Sequence, residues 1–236
     1  MNRSHAGFEN GFTLIELMVT MVLVAALCLI GFSVGKKAMV RSHQSASASN
    51  LRQWGVAMAL YSIDQNGRLP RRGQGRQKLG IVNRPEDWFN ALPPYLNAPT
   101  YRELAEGNML PKPGDASIFL CPGSKLSPTV KHPLGYGMNM NLSPWNFPQA
   151  TLLSNIESPS KVVFMAEAPG DYSSVYPSRA GYSLIAPHDG MGNILFLDGH
   201  VAAYHSDELG CQKGDPKRPG ISWKTGTDSD ANSDMY

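Results

Sequence analysis

Residues 17–34 form an unbroken stretch of 18 uncharged, mostly apolar residues, and a single carboxylate, Glu16, stands directly before it. Together with residues 12–15 the stretch approaches the ~20 apolar residues that an α-helix needs to cross a lipid bilayer. Such a run dictates a helix, because in lipid every backbone N–H and C=O must find its partner within the segment. Glu16 is the anomaly. A charge near a bilayer centre costs on the order of 2.5–3.5 kcal/mol on insertion scales, so it calls for a partner. An ordinary cleaved signal peptide fits poorly: only Arg3 precedes the run, Glu9 offsets it, and no A-x-A-like site closes it at Phe32-Ser33-Val34.

Beyond Val34 the apolar pattern changes. Val40, Ser47, Leu51, Trp54, Met58 and Tyr61 recur at intervals of three, four and seven, with Arg41, His43, Gln44, Asn50, Arg52 and Gln53 between them. This is one stripe of an amphipathic helix, and no proline interrupts it before Pro70. The spacing predicts a single helix from about Thr13 to Asp64, roughly 75 Å long at the usual rise per residue. Asn66-Gly67 supplies the left-handed stop expected at its end. Gly31 and Gly35 are four apart, a spacing that permits close helix–helix approach or simply loosens the end of the apolar run.

After residue 66 the composition shifts. The 236-residue chain holds 23 glycines and 18 prolines with only 17% charged residues, which suits a head rich in turns rather than a helical bundle. About 170 residues remain for that head, enough for its own core. A net charge of +2 is too weak and dispersed to argue for nucleic acid. The basic run at residues 71–78 reads as a solvated loop, with an anionic partner as the lesser reading. A short aromatic helix is expected around Asp87–Leu92, stopped by Pro93-Pro94. Strands are expected at residues 119–123, 134–139 and 161–166. Asp198-Gly199, between residues 193–197 and 200–204, predicts a two-residue type I′ hairpin. From Gly210 onward the polar chain lacks periodicity and is expected to be disordered.

Gly11-Phe12-Thr13-Leu14-Ile15-Glu16-Leu17 matches the G-F-T-L-I-E-L pattern residue for residue and resembles the class III signal of the type IV pilin and type II secretion pseudopilin family. In the head, His188 precedes Asp198-Gly199 by ten positions. This resembles the H-x9-D-G signature of pseudopilin-like bacterial proteins with a type II secretion G-type beginning. Asn66-Gly67 with Leu69-Pro70, Trp88 with Pro94-Tyr95-Leu96, Phe119 with Cys121-Pro122, and Gly135-Tyr136 with Asn139 extend the resemblance to about residue 205. It implies an α+β fold: a long N-terminal transmembrane and amphipathic helix packed on a small antiparallel β-sheet head. The corresponding segments are a leader at 1–11, a transmembrane helix at 12–35, an amphipathic stalk at 36–66, the head at 67–209 and a disordered tail at 210–236.

The resemblance further implies that a prepilin peptidase cuts between Gly11 and Phe12 and methylates the new Phe12 amine. Glu16, then the fifth mature residue, would neutralise the Phe12 amine of a neighbouring subunit and set axial register. The implied partners are that peptidase/methylase, other pseudopilin subunits and the bacterial inner membrane, with no nucleic acid. Lys36, Lys37 and Arg41 follow the apolar run, so the positive-inside rule taken alone would leave the head in the cytoplasm. The resemblance implies the opposite topology, a single pass with a cytoplasmic N-terminus and a periplasmic head. Nothing resembles a P-loop, so mechanical work is assigned to a separate ATPase.

No enzyme is expected. His188-Asp189 suggests a metal hydrolase dyad, but the pair lies in a Gly-rich loop rather than on a helix. His200 and His205 are five apart and would face opposite sides of one strand, and no G-x-S-x-G is present. His188 is expected to hydrogen-bond the Asp198 turn or nearby carbonyls, making His188, Asp198 and Gly199 a structural motif. No cofactor is expected, except that G-type pseudopilins hold calcium in their C-terminal loop region. Asp171, Asp189, Asn193 and Asp198 offer hard oxygens for it, though no compact D-x-D-x-D-G loop is present. Cys28 lies in the apolar run. An oxidising compartment would allow a Cys121–Cys211 disulfide, while the absence of CxxC gives no zinc signature. The competing function is a monomeric envelope-anchored protein whose head binds a polysaccharide or peptide through exposed Trp88, Trp145 or Trp223.

Overall fold

The computed structural model describes residues 13–75, 77–143, 151–178, 183–212, 214–215 and 218–223; the leader with Gly11, then Phe12, Trp145 and residues 224–236 lie outside the described residues. The chain divides into two compact units, residues 1–40 and 41–236, and helix α1 (Leu14–Asp64) contributes to both.

In the first unit α1 is apolar around its circumference. Leu17, Val19, Met21, Val22, Leu23, Leu27 and Leu29 are all exposed, and one 18-residue window reaches a mean hydropathy of 2.6. It is long and apolar enough to cross a membrane, as predicted.

In the second unit the same helix becomes one-sided. Ser47, Leu51, Trp54 and Met58 are buried, whereas Val56 and Leu60 on the other side are exposed. The helix ends at Asp64, with Asn66 and Gly67 at positive φ. Two short helices follow, α2 (Trp88–Ala91) and α3 (Tyr101–Glu106), with a 3₁₀ turn at Pro93–Leu96 between them. Thr100 and Glu103 exchange the reciprocal hydrogen bonds of a capping box at the start of α3.

The sheet holds β1 (Leu134–Asn139), β2 (Val163–Gly170), β3 (Ser174–Val175), β4 (Met191–Phe196) and β5 (Val201–His205), in the order β3-β1-β2-β4-β5. The β1/β2, β2/β4 and β4/β5 pairs are antiparallel, but β3 runs parallel to β1, so the sheet is mixed rather than wholly antiparallel. A last short helix, α4 (Ser206–Leu209), follows β5. Alternation along the strands builds two cores. Leu195 and Leu197 join Leu51, Trp54, Met58, Trp88, Tyr101 and Phe119. Ile194 and Phe196 join Val163, Ala166, Leu184, Leu209 and Trp223. Trp54 stacks edge-on to Trp88 at 5.2 Å and donates its indole N–H to Ile118 O at 3.0 Å, which ties the helix to the head.

Four expectations need correction. Residues 119–123 form turns, not a strand: only Phe119 O bonds to the neighbouring β1, from Gly135 N at 2.8 Å, and Pro122-Gly123 then turns the chain away. The Asp198-Gly199 hairpin is not type I′. Of the two residues only Gly199 has positive φ, and it closes a three-residue loop between Phe196 and His200. The basic segment is partly built into the head: buried Arg72 donates to Met140 O at 2.6 Å, Arg71 pairs with Glu86 and Lys78 with Asp171. Lastly, order continues past Gly210. Ser222 bonds to Lys161 and Val163 on either side of Val162, and Trp223 is buried in the second core.

Candidate functional site

Glu16 lies in the first turn of α1. Its Oε2 accepts from Thr13 N at 2.9 Å and Thr13 Oγ1 at 2.8 Å, while Glu16 N donates to Thr13 Oγ1 at 3.3 Å. Thr13-Leu14-Ile15-Glu16 is thus a capping box, a function the T-x-x-E spacing carried in plain sight. The carboxylate is exposed and its partners within the chain are local backbone and hydroxyl donors. The apolar residues around it have no packing partner among the described residues.

A second carboxylate, Glu167, is wholly buried on central strand β2. The β2/β4 ladder pairs Met165 with Leu195 and Ala166 with Ile194. At the next step Asn193 N donates to the Glu167 side chain, Oε2, at 3.0 Å. The other oxygen, Oε1, accepts from Ser47 Oγ at 2.5 Å, Asn193 Nδ2 at 3.0 Å and His188 Nε2 at 2.8 Å. Four donors around two oxygens satisfy a carboxylate anion, without which its burial would be prohibitive.

The three residues that supply them are placed by three different segments. Ser47 comes from the buried stripe of α1 and also meets Tyr136 Oη at 3.1 Å. Asn193 lies in β4, and its amide also donates to Gln44 O of α1 at 3.1 Å. His188 is presented by a tight turn: His188 and Met191 exchange N–H···O bonds of 3.1 Å each way, with Asp189 at φ 56° and Gly190 at φ 80°. These are the features of a type I′ turn, so this geometry occurs at the first Asp-Gly and not the second. Cys121 completes the group, its Sγ 3.5 Å from Ser47 Oγ and 3.6 Å from His188 Nε2. It sits there because β1 has a glycine opposite: a Cβ on Gly135 would fall 2.1 Å from Cys121 N. Burial first, then the Glu167 charge, pushes the Cys121 thiol upward, so it is a protonated donor and not an activated nucleophile. Burial likewise pushes the Tyr136 hydroxyl upward.

The expected motif residues are therefore split. His188 bonds Glu167 and not the Asp198 turn, whereas Asp198 accepts from exposed His200 at 2.5 Å. The four calcium candidates are not gathered: Asp171 pairs with Lys78, Asn193 with Glu167 and Asp198 with His200, and Asp189 is a turn residue. The Cys121–Cys211 disulfide is not formed, and both are free thiols. Cys121 belongs to the first core while Cys211 packs against the second, where burial pushes its thiol up to about 12. Among the described residues, the group whose ligand atoms converge is Cys121, Glu167 and His188, all within 4.8 Å of one another.

Residues 7–32 match the family model of the prokaryotic N-terminal methylation motif. This is a type IV pilin-like signal, the mark of a prepilin-peptidase substrate, and it covers the Gly11-Phe12 junction, Glu16 and most of the apolar run. No curated protein and no solved structure matches the chain.

Proposed function

We propose that the chain is a non-enzymatic, membrane-anchored pseudopilin-like subunit that assembles through α1 into a type II secretion or type IV pilus-like filament. Prepilin peptidase cuts between Gly11 and Phe12, and the head lies on the periplasmic side of the inner membrane. The observation that carries this reading is Glu16 within the matched signal, an acid held at the head of an exposed apolar helix. Its charge has no cationic partner among the described residues, and the methylated Phe12 amine of a neighbouring subunit supplies one. The ligand-binding alternative loses two of its three tryptophans, since Trp88 and Trp223 are buried in the two cores.

Mass spectrometry of the mature chain tests processing: an N-methylated Phe12 terminus is expected, and retention of residues 1–11 would remove the basis of the proposal. Crosslinking in membranes tests assembly. Glu16→Ala is expected to be cleaved and inserted normally but to lose intersubunit crosslinks; unchanged crosslinked ladders would refute the filament reading.

A further inference from the structure

We propose that Cys121, Glu167 and His188 form a closed zinc site in the head. The argument starts from the donor set. Thiol, imidazole and carboxylate from three distant segments, the turn before β1, strand β2 and the turn before β4, converge in a site where each is at most 3% exposed. A buried thiol, imidazole and carboxylate together form a set that borderline-soft Zn²⁺ prefers over Ca²⁺ or Mg²⁺, which take oxygen ligands only.

The spacing fits. With Zn–S near 2.3 Å and Zn–N near 2.05 Å, tetrahedral ligation places sulfur and nitrogen about 3.6 Å apart. The Cys121 Sγ to His188 Nε2 separation is 3.6 Å. His188 Nε2 and Glu167 Oε1 stand at 2.8 Å, a hydrogen-bonded distance that widens to about 3.3 Å when a metal ion replaces the shared proton. The Ser47 hydroxyl is the available fourth donor, 3.5 Å from Cys121 Sγ and 2.5 Å from Glu167 Oε1. That fourth position would bring α1 into the same coordination sphere as the head.

Charge supports the assignment. Binding releases the Cys121 thiol proton, and thiolate plus carboxylate then match the two charges of Zn²⁺. Ligation through Nε2 leaves the imidazole N–H at Nδ1, which is buried without a partner among the described residues. That cost is modest beside the affinity of such a ligand set for zinc.

The test uses the full-length protein in detergent, stripped with chelator and loaded with Zn²⁺ or Co²⁺. One tightly held zinc per chain is expected, together with the near-ultraviolet thiolate-to-cobalt absorption of the Co²⁺ form. Cys121→Ser should abolish that absorption, and His188→Gln should weaken metal retention by about tenfold or more. Cys211→Ser should change neither. If Cys121→Ser or His188→Gln does not fold, the wild-type cobalt spectrum decides alone. No retained zinc, no thiolate absorption, or an absorption lost with Cys211 and not Cys121 overturns the proposal and leaves the cluster a hydrogen-bond network.

Discussion

Residues 14–40 and 41–64 lie on one helix, yet they meet the problem of apolar surface in opposite ways. The first segment shows apolar side chains in all directions and finds no cover for them among the described residues. The second confines them to a stripe that the head buries, with Trp54 wedged among Trp88 and Phe119. The two glutamates repeat the contrast. Glu16 is held by two donors from Thr13, its own helix start, and Glu167 by four donors from three elements. A region that satisfies itself is finished when it folds. One that does not still presents its surface to a partner outside itself.

The largest effect that would break this contrast is on assembly. Glu16→Gln retains a capping side chain but removes the charge. Like Glu16→Ala, it should lose intersubunit crosslinks entirely; crosslinks surviving in Glu16→Gln alone would show that the cap, not the charge, is what assembly requires. Next comes the helix-to-head seam. Trp54→Ala should lower stability by about 3–5 kcal/mol in denaturant unfolding, by cavity formation and loss of the Ile118 bond. Leu23→Ala, on the exposed apolar half, should leave head unfolding unchanged. A smaller loss is expected for Glu167→Gln, about 2 kcal/mol, since the amide puts an N–H donor where an oxygen now accepts and leaves the facing donors without an acceptor.

The smallest effect has the opposite sign. Asp87 is buried beside α2 with neither oxygen bonded among the described residues, and burial raises its carboxyl from 3.8 to about 6. A carboxyl raised in the folded state favours the protonated form, so its contribution to stability falls as pH rises from about 4 to 6. Asp87→Asn should therefore stabilise the head at neutral pH by about 1–2 kcal/mol and flatten the profile across that window, as read from melting curves.

The helix was legible because its periodicity is strong and unbroken to Asp64, and β1 and β2 stood out as apolar runs bounded by turns. What stayed hidden was long-range. Nothing local reveals that Ser47, Glu167, Cys121 and His188 meet, because they are scattered over more than 140 positions. A signal did exist in part. Ser47 interrupts the apolar stripe of α1, and Glu167 and Asn193 interrupt buried strands. Polar residues in positions destined for burial must find one another. The chain also offers Asp-Gly twice, and turn chemistry alone does not say which copy takes the two-residue geometry. The ladder decides: Met191–Phe196 pairs with Val201–His205, Phe196 bonds His200 around a three-residue loop, and the tight turn is left to Asp189-Gly190.

Ser47 carries one more implication, for alignment. Sliding the stalk segment one helical turn along the sheet, about 5.4 Å, would bring Leu51 or His43 opposite Glu167 in its place. Leucine offers no donor, and histidine does not fit where a serine now lies. The apolar stripe by itself would tolerate such a slip, because one leucine-sized contact resembles another. A single small hydroxyl thus works as an index mark, fixing where along its length the helix engages the head.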